Sequence, residues 1–421
     1  MKDNSSCRAL ALDSLIALER DGRYSNLEVD ARLKRSSLSD ADRALYTRLV
    51  YGVTERRITL DYIISQLSST ALESLDDDVR TALRLGVYQL RFMDKIPEHA
   101  AVSETVDLVG KQRKGYVNAV LRSYIRAGKP LSLPSSDDRT KYLSVKYSVP
   151  EPLVGHFRTS YGDSEAEPLL DALNREPKIG LRVNTLKITT DEAERLTGGI
   201  RSSFADGILL VDSLDETAKD GIGSGLWFVQ DEASRAATML LGAKPGETVV
   251  DTCACPGGKS FSAAVDMKND GKVFSFDLHK NKLSLIEKGA SALGITIIST
   301  EERDARQPKA ELVGRADRVL CDAPCSGLGV IAKKPDIRYK NLDGCAKLPE
   351  IQYGVLCGAS EYVKNGGTLV YSTCTLNPAE NENVVSRFIE NHAGFELGSM
   401  KTFFPHKDGC DGFFAAKMIR K

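Results

Sequence analysis

The sequence predicts three parts in series: an all-helical domain over 1–135, a small α+β module over 140–228, and an α/β domain over 229–421. Three observations carry this reading. Apolar residues recur at helical spacing through the first third of the chain. A stretch from Gly128 to Asp138 with Pro130, Pro134 and three serines interrupts that pattern. From about residue 231, short apolar strands alternate with helices, the pattern of a parallel sheet covered on both faces.

The helical part shows apolar stripes at Leu10–Leu18, Leu45–Val50, Ile58–Leu67, Leu83–Phe92 and Val102–Leu121, with Ser39 placed to cap a helix and Asp42 three residues on. In the middle part, 181–186 and 208–211 read as strands and 191–196 as a helix. In the last part, strands are expected over 248–251, 273–277, 295–299, 318–322 and 369–372, with a closing hairpin strand within 409–419. A helix from about Lys259 to Val265 follows the first of these, and another over Leu283–Ile286 follows the second.

Composition narrows the function. No window of about 18 apolar residues spans a membrane. The leading residues, Met1 to Cys7, contain no apolar stretch of the kind a secretory signal needs. Nine cysteines without such a signal point to a reducing, cytoplasmic setting. The net charge of −1 gives no global attraction for a polyanion. Locally, Lys111, Arg113, Lys114, Arg122, Arg126 and Lys129 lie in a run from Leu108 to Ser136 that contains no acid. That makes them a candidate phosphate-facing surface, against the plainer reading of a solvated helix face.

The chemistry is concentrated at strand ends, where ligands bind in open α/β sheets. The first strand ends in Asp251 and runs into Cys253-Ala254-Cys255-Pro256-Gly257-Gly258-Lys259. Two glycines let the backbone approach a ligand, and the following helix N-terminus offers free N–H groups to an anion. Asp277, nineteen residues after Gly258, is placed to grip ribose hydroxyls, and Asp304 to reach an exocyclic amine. Neither the dinucleotide glycine pattern nor a Walker loop is present. A methyl donor such as S-adenosylmethionine, leaving as S-adenosylhomocysteine, therefore fits better than NAD or ATP.

Two further strand ends carry Asp322-Ala323-Pro324-Cys325 and Thr373-Cys374-Thr375. Paired thiols beside a methyl donor suit pyrimidine chemistry. A thiolate adding to carbon 6 makes carbon 5 nucleophilic, and a second group must then remove the carbon 5 proton. Asp322 is placed to hydrogen-bond the ring edge. A zinc site from Cys253, Cys255, Cys321 and Cys325 would need Cys-x-Cys and Cys-x₃-Cys spacing, not the usual paired Cys-x₂-Cys, so no metal is expected.

These motifs, with Lys334-Pro335-Asp336-Ile337-Arg338, Glu380-Asn381-Glu382 and Asp411-Gly412-Phe413-Phe414, resemble those of the NOL/NOP/Sun RNA cytosine carbon-5 methyltransferases. Upstream, Arg84–Leu90, Ile96-Pro97, Ala101–Glu104 and Val117–Arg122 resemble the NusB-type RNA-binding helical domain. The combination is similar to the bacterial branch that acts on a cytosine of small-subunit (16S) ribosomal RNA. The resemblance implies a Rossmann-like class I methyltransferase domain preceded by an RRM-like subdomain. It implies that Cys374 is the nucleophile, that Cys325 assists product release, and that Cys253–Lys259, Asp277, Asp304 and Asp322 hold the cofactor. It further implies a cytoplasmic, monomeric enzyme with ribosomal RNA as its partner. A transfer RNA substrate and a non-catalytic assembly factor are the alternatives. Departures are few: Cys255 for a usual alanine, Ser260 for threonine, Lys333-Lys334 for an arginine pair and Tyr339 for tryptophan. They leave the chemistry intact and bear on RNA affinity.

Overall fold

The computed structural model describes residues 6–421; residues 1–5, which open the stretch read as lacking a secretory signal, lie outside the described residues. The chain divides into two compact units. One runs to Asn174 and takes in Lys334–Lys340; the other comprises Arg175–Lys333 and Asn341–Lys421.

The first unit is helical: α1 (Cys7–Asp21), α2 (Ser25–Arg35), α3 (Asp40–Ser65), α4 (Asp77–Phe92), α5 (Glu98–Val106), α6 (Lys111–Arg126), α7 (Arg139–Tyr147), α8 (Glu151–Tyr161) and α9 (Asp163–Ala172). Ser39 caps α3 by accepting from the Asp42 N–H, as its spacing predicts. The apolar stripes converge on one core, with Leu49, Leu60, Leu83, Leu85, Val117 and Leu121 fully buried. Helices α7–α9 belong to this unit, so its boundary falls at Asn174, whereas the sequence reading starts a separate α+β module at 140. The Thr59 hydroxyl donates to the Val145 carbonyl at 2.6 Å, and Ser148 Oγ accepts from the Ile58 N–H at 3.1 Å. The Pro-bearing stretch is thus a loop within the unit.

The segment Lys334–Lys340 is built into the same unit. Arg338 is 1% exposed. Its Nη1 donates to the carbonyls of Glu55 (2.8 Å) and Ser148 (3.1 Å) and to Asn174 Oδ1 (3.1 Å). The Tyr339 hydroxyl donates to the Thr54 carbonyl at 2.8 Å, and the Arg57 guanidinium lies 3.7 Å over its ring. Tyr339 was expected to bear on RNA affinity; here it packs and bonds within the helical unit.

The second unit contains two sheets. Strands β1 (Ile179–Val183), β2 (Ile200–Arg201), β3 (Ile208–Val211) and β4 (Trp227–Val229) form an antiparallel sheet in the order β2-β3-β1-β4, with helices α10 (Thr190–Thr197) and α11 (Glu216–Gly223). The strand expected to 186 ends at Val183, because Asn184 turns inward and its amide donates to the carbonyls of Gly225 and Leu293. After α12 (Glu232–Leu241) come β5 (Thr248–Asp251), α13 (Gly258–Asp266), β6 (Lys272–Asp277), α14 (Lys280–Leu293), β7 (Ile298–Glu302), β8 (Ala316–Asp322), α15 (Leu348–Tyr362), β9 (Val363–Thr373), α16 (Glu382–Asn391), β10 (Phe395–Phe403), α17 (Pro405–Asp408) and β11 (Phe413–Arg420). Their sheet runs β10-β11-β9-β8-β5-β6-β7. Strands β5 to β9 are mutually parallel, and β11 returns antiparallel between β9 and β10. In this sheet one strand expectation is shifted and one strand is missed. The strand expected at 295–299 is Ile298–Glu302, since Ile295 is buried in the loop packing against α14. Strand β10 escapes a pattern search because six successive residues of it are exposed.

Candidate active site

The sheet gathers the sequence-predicted acids at one edge. Asp251, Asp277 and Asp322 are the last residues of β5, β6 and β8, Asp304 lies two residues beyond β7, and Cys374 one residue beyond β9. The chain fills β5, β6, β7 outward in one direction and β8, β9 in the other, so the switch point lies between β5 and β8. A crevice at this point is where such sheets bind ligands.

The turn after β5 is shaped for an anion. Gly257 has a φ of +113°, and a Cβ there would sit 2.4 Å from the Phe261 ring, so only glycine fits. It caps α13 without a side chain, which leaves the first amides of that helix without a side-chain acceptor at the cap. Beside them Gly258 faces open space, with no atom within 4 Å of an added Cβ. Asp277 is locked to this turn, accepting from the Cys255 N–H (3.2 Å) and the His279 N–H (3.0 Å). Asp251 accepts from Ser260 Oγ at 2.7 Å and is fully buried, which pushes its carboxyl up to about 7. Asp304 is bound by Arg306 at 2.6–3.1 Å, whose hydrogen bonds hold the carboxylate below its usual range. An exocyclic amine would therefore share Asp304 with Arg306. An uncapped helix N-terminus, open space at Gly258 and a fixed carboxylate one strand away fit a nucleoside that carries its own carboxylate.

Across the switch point, Lys259 Nζ reaches Asp322 Oδ2 at 2.6 Å. Burial disfavours the ammonium, but Asp322 outweighs it and holds Lys259 above its ordinary value. Lys259, expected to contact the cofactor, also pairs with Asp322. Ser372, directly opposite Asp322 in the β8/β9 register, donates to Oδ1 at 2.7 Å. Each carboxylate oxygen of Asp322 thus holds one donor and keeps a lone pair for a further one.

The two thiols meet. Cys325 Sγ and Cys374 Sγ are 3.4 Å apart. The hydrogen bond to Cys374, and then burial, push the Cys325 thiol well above its ordinary value. Burial also raises Cys253, Cys255 and Cys321. Among the described residues, no group of three or more His, Cys, Asp or Glu is arranged to hold a metal ion.

Sequence reasoning missed what holds the thiols. Glu380, which the sequence shows only within the Glu380-Asn381-Glu382 motif, is fully buried, as are Gln352, Thr375 and Asn381, and its carboxylate accepts from the Ser326 N–H and from Asn377. It also missed a backbone crossing. The Gly329 N–H donates to the Cys374 carbonyl, the Gly412 N–H donates to the Gly329 carbonyl, and a Cβ on Gly329 would lie 1.8 Å from Gly412 O. Lys333, expected to bear on RNA affinity, instead bridges Asp231 (2.9 Å) and Asp411 (2.7 Å) beside that crossing.

The six basic residues lie on or just after α6. Acids from outside their run neutralise half of them: Arg113 pairs with Asp76 (2.6 Å), Lys114 with Asp107 (2.6 Å) and Lys129 with Glu98 (2.9 Å).

Parallel strands with acids at their ends, an uncapped helix at the switch point and a thiol pair facing it define a methyltransferase-type catalytic unit, here on one chain with an all-helical unit. The model of the family described as 16S rRNA methyltransferase RsmB/F matches residues 238–419, and that of the NusB family matches residues 5–126. The chain belongs to the ribosomal RNA small subunit methyltransferase B family. It is 39% identical to the Bacillus subtilis (strain 168) protein named "Probable ribosomal RNA small subunit methyltransferase B", over 99% of each chain. It is 30% identical to the ribosomal RNA small subunit methyltransferase B of Serratia proteamaculans (strain 568), over 100% of each. Among solved structures it is similar to PH0851, with a TM-score of 0.79 and 27% identity, covering 99% of this chain and 100% of that one. No helix among the described residues is long and apolar enough to cross a membrane.

Proposed function

We propose that this protein methylates carbon 5 of a cytosine in small-subunit ribosomal RNA, through a covalent adduct with Cys374. The observation that carries the reading is the pair of sulfurs 3.4 Å apart at the ends of neighbouring strands, with Asp322 at the same edge. S-adenosylmethionine, when bound, supplies an electrophilic methyl group. The turn Cys253–Lys259 and the acids Asp277 and Asp304 would hold it. Cys374 adds to carbon 6 of the ring, with the Cys325 sulfur 3.4 Å from its own. Asp322, steadied by Lys259 and Ser372, holds the base edge. Cys325 serves the later step, in which the carbon 5 proton leaves, the 5,6 double bond reforms and the bond to Cys374 breaks.

The helical unit supplies RNA contact, with the basic residues of α6 as its phosphate-facing surface. The same reading puts the enzyme in the cytoplasm as a monomer, and nine free cysteines suit that reducing setting. Bisulfite sequencing of total RNA from a deletion strain tests the proposal. One cytosine of small-subunit RNA should lose protection, and the wild-type chain should restore it while Cys374→Ala does not. Purified Cys325→Ala should give an RNA-dependent band on a denaturing gel. Protection lost only on a transfer RNA, or on no RNA, would refute the assignment.

A further inference from the structure

Each reactive cysteine is tied on both sides to one buried polar cluster. Before Cys325, the Pro324 carbonyl accepts from Gln352 Nε2 at 2.9 Å; after it, the Ser326 N–H donates to Glu380 Oε2 at 2.9 Å. Before Cys374, the Thr373 hydroxyl donates to Asn381 Oδ1 at 2.6 Å; after it, the Thr375 carbonyl accepts from Asn381 Nδ2 at 3.0 Å. The hydroxyls of Thr375 and Ser326 meet at 2.6 Å, stitching one loop to the other. Glu380 joins the halves. Oε2 also accepts from Gln352 Nε2 at 2.8 Å, Oε1 accepts from Asn377 Nδ2 at 2.9 Å, and the Glu380 carbonyl accepts from the Tyr371 hydroxyl at 2.6 Å. All three donors to the carboxylate are neutral, and Glu380, Gln352, Thr375 and Asn381 are 0% exposed. Burying a carboxylate on neutral donors is costly. What that cost secures here is the placement of two loops whose thiols must act on adjacent carbons of one ring.

We infer that Glu380, braced by Gln352, is a positioning residue for the thiol pair: it sets where Cys325 stands relative to Cys374, and so how fast the covalent adduct is resolved. The inference rests on the proposed cytosine methylation. In the step concerned, the carbon 5 proton passes to a water molecule, its electron pair forms the 5,6 double bond, and the carbon 6–sulfur bond breaks to release the Cys374 thiolate. Displacing one thiol by a fraction of an ångström hinders that step more than the first addition, which needs Cys374 alone.

The test compares full-length wild type, Glu380→Gln and Gln352→Met on a small-subunit RNA transcript. Both variants should show kcat lowered by roughly tenfold, with KM for S-adenosylmethionine unchanged. A larger share of enzyme should run as the RNA adduct on a denaturing gel. A second readout needs no RNA: phenylarsine oxide, which bridges two close thiols, should protect both cysteines of wild type from iodoacetamide and should protect the variants less. Variants that keep the wild-type adduct share and arsenical protection would overturn the inference, whatever their kcat. Absence of methylation by wild type would instead overturn the proposed function, and the arsenical comparison would still decide whether Glu380 sets the thiol pair.

Discussion

Asp251 is held in a form that ordinary pH disfavours. It is buried at the end of β5, and burial, reinforced by Asp322, raises its carboxyl to about 7 against the pull of Ser260 and Lys259. A carboxyl that binds its proton more tightly when folded costs stability as pH rises. Below the unfolded value both states are protonated and nothing is lost. Between that value and about 7 only the unfolded chain ionises, so stability falls, and above about 7 the full penalty stands. Asp251→Asn removes the titration. Its stability relative to wild type should therefore grow from pH 5 to pH 8, by an amount on the order of 3 kcal/mol. Denaturant midpoints across that range check it; a constant difference would show that Asp251 is ionised throughout. At this scale the acids and cysteines were legible because each ends a strand or follows one within a few residues. The target of Lys259 was not, since it depends on β5 lying beside β8. Nor was the role of Glu380, whose partners come from three separate stretches of chain.

Helix α6 shows how a patch read along one stretch of chain changes in three dimensions. Arg113, Lys114 and Lys129 meet acids supplied by other elements, whereas Arg122 bonds the Asn118 amide and, like Arg126, forms no ion pair among the described residues. Exposed ion pairs are worth little, but each must be broken before its cation can serve a phosphate. Arg122→Ala/Arg126→Ala should therefore flatten the salt dependence of RNA binding by about two units of logarithmic slope or somewhat less. Arg113→Ala/Lys114→Ala should flatten it less. RNA titrations at several salt concentrations separate the two variants, and unchanged slopes in both would mean RNA is held elsewhere. Other elements divide in the same way. Strands β5, β6, β8 and β9 were legible because burial on both faces leaves an apolar run. Strand β10 was not, because only its end residues, Phe395 and Phe403, are buried. Helices α7–α9 were assigned across a Pro-bearing loop that looks like a boundary, and only the hydrogen bonds to α3 reveal their unit.

In the whole molecule, the helical unit is completed by a segment from far along the chain. Arg338 satisfies oxygens from three places in that unit while its own Nε and Nη2 find no partner. Arg338→Ala in the full chain should lower stability by about 2–3 kcal/mol, because buried carbonyls lose a charged donor. Hydrogen exchange should rise first at the amides of Ile58 and Thr59, which face Ser148 at the same place. Exchange rising uniformly through α3 would argue against a local role.

That arrangement has a consequence in time. A ribosome delivers the chain from its N-terminus, and the segment that finishes the helical unit emerges about 160 residues after Asn174. At about 5–20 residues per second, the first helices wait for roughly 8–30 seconds with the carbonyls of Glu55 and Ser148 still hydrated. During synthesis the protein therefore passes through an interval in which its leading two-fifths is assembled but not closed. That interval ends only when most of the catalytic half has already been translated.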